Sequence, residues 1–533
     1  MTTGQFITSV LGLGLLGGAA SPQPADPQAP RPNPAAALHP VELPDDGPDQ
    51  EEAPAQVGEG DQPFALLAPM PLFAEARNPV LPRAVERWTT PVRPILLDDA
   101  ALMRFGIGTR FVLDLEPGVS FVCSVDRVDR TGERRMTLGG TVQGTPDGTF
   151  AFAVYDDAVA MVVRVPSKQR LYRLQFMGGG AYYVYRIDQN QLPGCEGGIV
   201  APPSPPRVLK PDDDDYLPPG AEPEHGEAVG GGCTAGTPII DTMVLYTPAA
   251  RTEAGSPNAI RAIAELAVDQ TNESYQNSGC TARARLVYCD EVAYTESGSL
   301  NTDLDRLTGT TDGFMDGIHA TRDAVNADLV TLYGNWGSGL GWCSSDYGSA
   351  FSTLDWTRAS LDFTHAHETG HNLGCDHDRN NETPGCAWAS YGYGWRFFGS
   401  DGFEYRTVMA YSPGTPVQYF SNPNVTFLGT ATGVADSEDN ARIINNRDTT
   451  IEDFELTRYD IYVNFAYGGF LEFGTYFFPY NTVPEGVAAI SVPSTGAPES
   501  PNLYIRAGTT NWTGTISKKM QIHACGGTAS IGG

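Results

Sequence analysis

The chain has 533 residues, enough for several domains, and carries a formal net charge of -30 with a pI near 4.5. So acidic a chain repels phosphate backbones, so no nucleic-acid partner is expected. The 60 glycines and 41 prolines point to many turns and to β structure, and no apolar stretch reaches the roughly 20 residues of a membrane-spanning helix.

Residues 1–20 contain a short apolar run, Phe6 to Ala20, that closes on small residues. This pattern resembles the core and cleavage site of an export signal, although no Lys or Arg precedes it. Residues 21–62 are rich in Pro, Ala, Asp and Glu, lack the apolar groups of a core, and are expected to be disordered. From 63 to 200 the character changes. Phe111–Leu115, Ser120–Val125, Thr149–Tyr155 and Ala181–Ile187 read as strands separated by Gly-containing turns, which predicts an antiparallel β domain without a catalytic cluster. Residues 201–236, with repeated prolines and the run Asp212 to Asp215, read as an exposed acidic linker.

From 237 to 456 strands and helices alternate. Ile239–Tyr246, Ala284–Val287 and Leu329–Tyr333 read as strands, and Asn258–Tyr275 and Gly313–Val325 as amphipathic helices. A further helix over 361–373 carries His367, Glu368 and His371, followed by Gly374 and His377, in the pattern H-E-x-x-H-x-x-G-x-x-H. Histidines four apart share one helical face and can share one cation. Glu368 follows the first of them, so it points around the helix, where it can act on a water without being a ligand. Gly374 can adopt positive φ and end the helix, which lets His377 reach the same cation from a new direction. Three neutral imidazoles with one position left open is the ligand count of a catalytic zinc. Zinc acidifies water and polarises a carbonyl, and Glu368 is the expected general base, so the chemistry points to peptide-bond hydrolysis. His319 and His365 are read as structural or surface residues.

This segment resembles the metzincin metalloprotease signature. The resemblance implies a Met-turn, for which Met409 is the candidate, and a tyrosine two residues on, Tyr411, near the metal. Leu300–Gly309, Gly313–Asp316, His371–Gly374 with His377-Asp378, and Phe420–Pro423 narrow the likeness to a reprolysin-like branch, the bacterial peptidyl-Asp metalloendopeptidases. That family is credited with cutting on the amino side of acidic residues. The resemblance therefore implies a basic side chain in the pocket, with Arg358, Arg396 and Arg406 as candidates.

Placed before a protease domain, the 63–200 region reads as a propeptide. Cys195 lies near its end, and a thiolate is a good zinc ligand. In logic, though not in motif, that resembles a cysteine switch, with a disulfide or a free thiol as the other readings. Of nine cysteines, Cys280 with Cys289 and Cys375 with Cys386 are the short-range disulfide candidates. Residues 457–533 form a small β-rich module, β-helix-like in Asn502–Gly508 and Gly514–Ile522, with surface or polysaccharide contact as a candidate role.

The sequence thus predicts a multidomain α+β protein: a β-rich N-terminal propeptide, a metzincin-like α/β catalytic domain and a β-rich C-terminal module. The expected function is a secreted Zn2+-dependent endopeptidase acting on protein or peptide substrates, made as a zymogen. The alternative is a binding or adhesion protein with a vestigial zinc domain.

Overall fold

The computed structural model describes residues 70–76, 88–192, 194–195, 197–201, 238–455, 460–469, 472, 479–490, 502–518 and 520–532. The expected signal (1–20), the Pro/Ala-rich stretch (21–62) and the linker beyond its first residue lie outside the described residues.

The N-terminal region forms one ten-stranded sheet. Its strands are β1 (Met70–Pro71), β2 (Phe73–Glu75), β3 (Thr89–Leu97), β4 (Arg110–Glu116), β5 (Val119–Gly132), β6 (Arg135–Val142), β7 (Thr149–Tyr155), β8 (Ala158–Val165), β9 (Arg170–Gly178) and β10 (Ala181–Ile187). From β4 to β10 each strand pairs antiparallel with the next in sequence, as Gly-containing turns between alternating residues favour.

The second sheet has six strands in the order β11 (Gly197–Val200), β15 (Gly339–Cys343), β16 (Phe351–Asp355), β14 (Leu329–Gly334), β12 (Ile239–Tyr246) and β13 (Arg283–Glu291). β16, β14, β12 and β13 run parallel; helices join β12 to β13 and β13 to β14, while β15 lies on the path from β14 to β16. β15 runs antiparallel to β16, and β11 pairs outside it, parallel to β15. This strand order places a segment from before the linker at the sheet edge beside the histidine helix.

Of the helices, α1 (Asp99–Leu102) belongs to the N-terminal sheet and α2 (Pro248–Ala254) leads into α3 (Pro257–Asn277). Ser256 caps α3 by accepting the Ala259 N–H, with Pro257 at the first helical position, where its missing N–H costs nothing. Its apolar face, with Ile260, Ala264 and Ala267, packs in one core with Phe111, Phe150, Phe152 and Trp356. Burying each large apolar side chain there contributes about 1.5–3 kcal/mol. Polar bonds cross the same junction. Arg127 reaches Asp269 at 2.7 Å and Glu273 at 3.3 Å, Arg173 donates to the Thr357 carbonyl at 3.2 Å, and Arg164 donates to the Ser360 carbonyl at 2.5 Å and to that of Leu361.

Helices α4 (Leu300–Thr308) and α5 (Ile318–Val325) follow β13, and α6 (Thr364–Leu373) and α7 (Asn440–Glu452) follow β16. α5 starts later than its periodicity predicts, because Met315 adopts φ +54° and breaks the helix before Ile318. α6 likewise starts at Thr364 rather than 361, since Phe363 sits at φ +65°. At the C-terminus Asp460–Val463, Asn502–Thr510 and Gln521–Ile531 form three parallel strands, with a register shift between Arg506 and Gly508, and the rings of Tyr462, Tyr504 and His523 stack across them at 5.0 and 4.9 Å. No helix among the described residues is long and apolar enough to cross a membrane.

The short-range disulfide candidates do not form. Cys343 bonds Cys386, while Cys280, Cys289 and Cys375 are free. Cys280 and Cys375 point into the core towards α7, where their sulfurs approach the carbonyls of Ala441 and Asn440. The turn at Gly374 instead carries Cys386 back over the end of β15.

Candidate metal centre and cleft

α6 is buried over its whole length, which is why its pattern has no solvated face. Its close packing needs glycines. A Cβ on Gly339 of β15 would strike the Glu368 side chain, and one on Gly370 would lie 2.7 Å from Met409 Sδ. Gly374 ends the helix at φ +97°, its N–H turned back to the Gly370 and His371 carbonyls.

Beyond that turn His377 swings back towards the helix. The ring centroids of His367, His371 and His377 are 4.6–5.2 Å apart. Each Nδ1 faces a backbone carbonyl: Val408 at 2.8 Å for His367, Cys375 at 2.9 Å for His371, Asn381 at 3.1 Å for His377. Those carbonyls accept only, so each Nδ1 carries the proton and each Nε2 keeps its lone pair. The Nε2 atoms of His371 and His377 lie 3.0 Å apart, and that of His367 is buried without a protein partner. Three buried lone pairs converging on one point make a donor set that a divalent cation fits.

The electrostatics agree. Burial, then the neighbouring His377, pushes His367 down to about 3. Burial pushes His377 down to about 4. Both rings are therefore held neutral, the form that binds metal. Burial pushes the Glu368 carboxyl well above its ordinary value, and its buried oxygens have the Cys195 thiol as neighbour.

Residues far from α6 complete the site. Met409 is fully buried beneath the histidines. The Tyr411 ring lies 4.1 Å from that of His377, and its N–H donates to Asp378 at 3.0 Å. Asp378 also accepts from Arg396 at 3.2 Å, and Asp376 from the His377 N–H at 2.8 Å. The loops that carry His377 and Tyr411 are therefore tied together by the Asp378 carboxylate, a feature no local pattern in the sequence announces. His365 points away from the histidine cluster, against the Tyr333 hydroxyl at 3.1 Å. His319 bonds the Gly309 carbonyl at 2.9 Å.

The N-terminal segment runs through the cleft. A ligand nitrogen of His367, a Glu368 oxygen and the Cys195 sulfur lie within 4.8 Å of one another. The Tyr411 hydroxyl donates to the Cys195 carbonyl at 2.9 Å. Three residues on, a Cβ at Gly198 would collide with both sulfurs of the Cys343–Cys386 disulfide and come within 2.8 Å of His371 Nδ1.

Residues 237–438 match the family model of the metallo-peptidase family M12B, reprolysin-like. The chain is 36% identical over 231 residues to a peptidyl-Asp metalloendopeptidase of Stenotrophomonas maltophilia strain R551-3, covering 42% of this chain and 54% of that protein. It is 30% identical over 332 residues to the one from Xanthomonas campestris pv. campestris, covering 61% and 73%. It is 31% identical over 339 residues to the one from S. maltophilia strain K279a, covering 61% and 75%. The chain thus spans about half the length of the first relative and about three quarters of the other two.

Proposed function

The chain belongs to the peptidyl-Asp metalloendopeptidase family, reprolysin-like zinc metallopeptidases, and from that premise we propose a secreted endopeptidase with Glu368 as its general base. His367, His371 and His377 are the proposed zinc ligands. The observation that carries the reading is three Nε2 lone pairs converging beside a buried carboxylate whose neighbour is the Cys195 thiol. A zinc ion held there supplies Lewis acidity to water and to the scissile carbonyl. Glu368 takes the proton of the attacking water and passes it to the leaving amine. The buried Nδ1–carbonyl bonds hold the three rings in one tautomer through the cycle. Tyr411, beside His377, is positioned to donate to the developing oxyanion once its hydroxyl leaves Cys195. By analogy with its relatives' name, the substrate site lies next to an acidic residue.

We further propose that residues 63–200 are a propeptide that keeps the enzyme latent. Two features support this. Cys195 sits at the metal face of the cleft, where a bound cation would favour its thiolate. β11 occupies the edge of β15, the free backbone row on which an extended peptide would otherwise add. A Cys195→Ala precursor should show activity before processing, and one that remains silent would count against the thiol's part.

The test of the main reading is hydrolysis of casein by the processed enzyme. It should vanish on chelation, return with zinc, and vanish in Glu368→Ala with metal content unchanged. Hydrolysis persisting in that variant would overturn the general-base role. Loss of hydrolysis there, with metal still bound, also sets aside a vestigial zinc domain.

A further inference from the structure

Three arginines near the cleft differ sharply in what already holds them. Arg358 is buried, ion-paired with Asp362, and donates to the Gly337 carbonyl at 3.0 Å. Its partner Asp362 also accepts from the Thr364 hydroxyl at 2.7 Å, so this pair is internally balanced. Arg396 is paired with Asp378, the carboxylate that fastens the Tyr411 loop. Arg406 is different. Its Nε donates to the Gly414 carbonyl at 3.1 Å and its Nη1 to the Ala410 carbonyl at 2.7 Å. It makes no ion pair among the described residues, and its Nη2 has no hydrogen bond among them.

Those two carbonyls bracket the turn Ala410–Gly414, which carries Tyr411 against His377. Arg406 therefore braces the inner wall beside the metal face with two of its donors and leaves one edge of its fork over. The guanidinium is close enough that His367 and Cys195 both feel its charge. A cavity of about 220 Å³, lined by Arg406, Ser412, Gly414 and Thr415 with Arg170 and Arg186 of the N-terminal sheet, borders the same side chain, so it is not packed solid. Burial depresses its pKa, but a guanidinium stays charged at any working pH. The Asp362 and Asp378 carboxylates act on it from a distance without pairing with it, and a half-buried guanidinium with an unbonded edge gains from a carboxylate that completes the fork.

We propose that Arg406 is the specificity residue of this cleft, taking the side-chain carboxylate of an aspartate or glutamate that follows the scissile bond. This rests on the endopeptidase reading above. The free edge of the fork meets a carboxylate as a charge-assisted hydrogen bond, which an uncharged amide of the same shape makes far more weakly. The Arg358–Asp362 pair beside it acts as a positioning element, holding the loop ahead of α6, and binds no substrate.

The experiment uses processed enzyme and peptides that differ only in Asp, Glu, Asn or Lys after the cleaved bond. Wild type should favour Asp over Asn in kcat/KM. In Arg406→Gln that ratio should fall at least about tenfold, the Asp peptide losing more than the Asn peptide and the excess appearing in KM; the loss common to both peptides reports the weakened turn. Arg396→Gln should keep the wild-type ratio. Arg406→Lys, which keeps the charge without the fork, should lie between. An unchanged Asp/Asn ratio in both Arg406→Gln and Arg406→Lys would overturn the proposal, as would a wild type without the preference. Should Arg406→Gln fail to fold, shown by lost zinc and lost near-ultraviolet dichroism, Arg406→Lys and inhibition of wild type by Asp-led and Asn-led product peptides decide. Equal inhibition by the two would overturn it. Failure of the endopeptidase reading looks different: no peptide is cut, or cutting survives chelation.

Discussion

Gly198→Ala in the unprocessed precursor is the sharpest single test of how the N-terminal segment sits in the cleft. An added methyl would meet the Cys343 and Cys386 sulfurs and His371 Nδ1. None of the three can yield cheaply, since the sulfurs are bonded to each other and the ring is held by the Cys375 carbonyl. β11 must lift instead, and it pairs four residues with β15. Losing on the order of two to three backbone hydrogen bonds at about 1 kcal/mol each costs about 2–3 kcal/mol, or roughly a 30- to 150-fold shift towards the open cleft. The assay is turnover of a fluorogenic peptide by precursor whose linker has been made resistant to cleavage. The control is Gly194→Ala, whose methyl meets nothing within 4 Å. Activity should rise in Gly198→Ala and stay at baseline in Gly194→Ala. If both precursors are equally silent, the seating of β11 does not govern access to the site. If both are equally active, the effect is not steric.

Glu368→Gln should lower kcat/KM about 10²- to 10⁴-fold, with bound zinc unchanged by elemental analysis. His365, pushed down to about 4 by burial, carries a pH signature of its own. The folded protein holds it neutral while the unfolded chain protonates it below about 6.5, so its stability is full above that pH and is lost as pH falls towards 4. Urea titrations of wild type against His365→Phe should therefore converge or cross by about 3 kcal/mol between pH 7 and pH 4, and parallel curves would refute the buried neutral form. The Cys343–Cys386 bridge closes a loop of sequence separation 43. Replacing both cysteines by serine should lower stability by up to about 4 kcal/mol, read from the urea midpoint, and should loosen metal binding at His377 as well.

Much of the site could be read locally because its parts lie within eleven consecutive residues. The helical period sets His367 over His371, and the freedom of Gly374 at φ +97° turns the chain for His377; both are properties of short stretches and survive without the rest of the fold. Alternating residues and glycine turns likewise sufficed for the N-terminal strands. Helix starts at Thr364 and Ile318 were hidden, because left-handed Phe363 and Met315 are stabilised by packing and not by any preference of their own. Disulfide pairing also escaped local reading: the nearest cysteine in sequence to Cys386 points into the core, while a distant one ends the neighbouring strand. Which arginine stands unpaired was undecidable for the same reason. Arg358 finds Asp362 four residues on, Arg396 finds Asp378 only through the fold, and Arg406 makes no ion pair among the described residues. The placement of the three imidazoles follows from backbone period and one glycine turn, whereas charge balance and edge pairing are sums over neighbours that only the folded chain assembles.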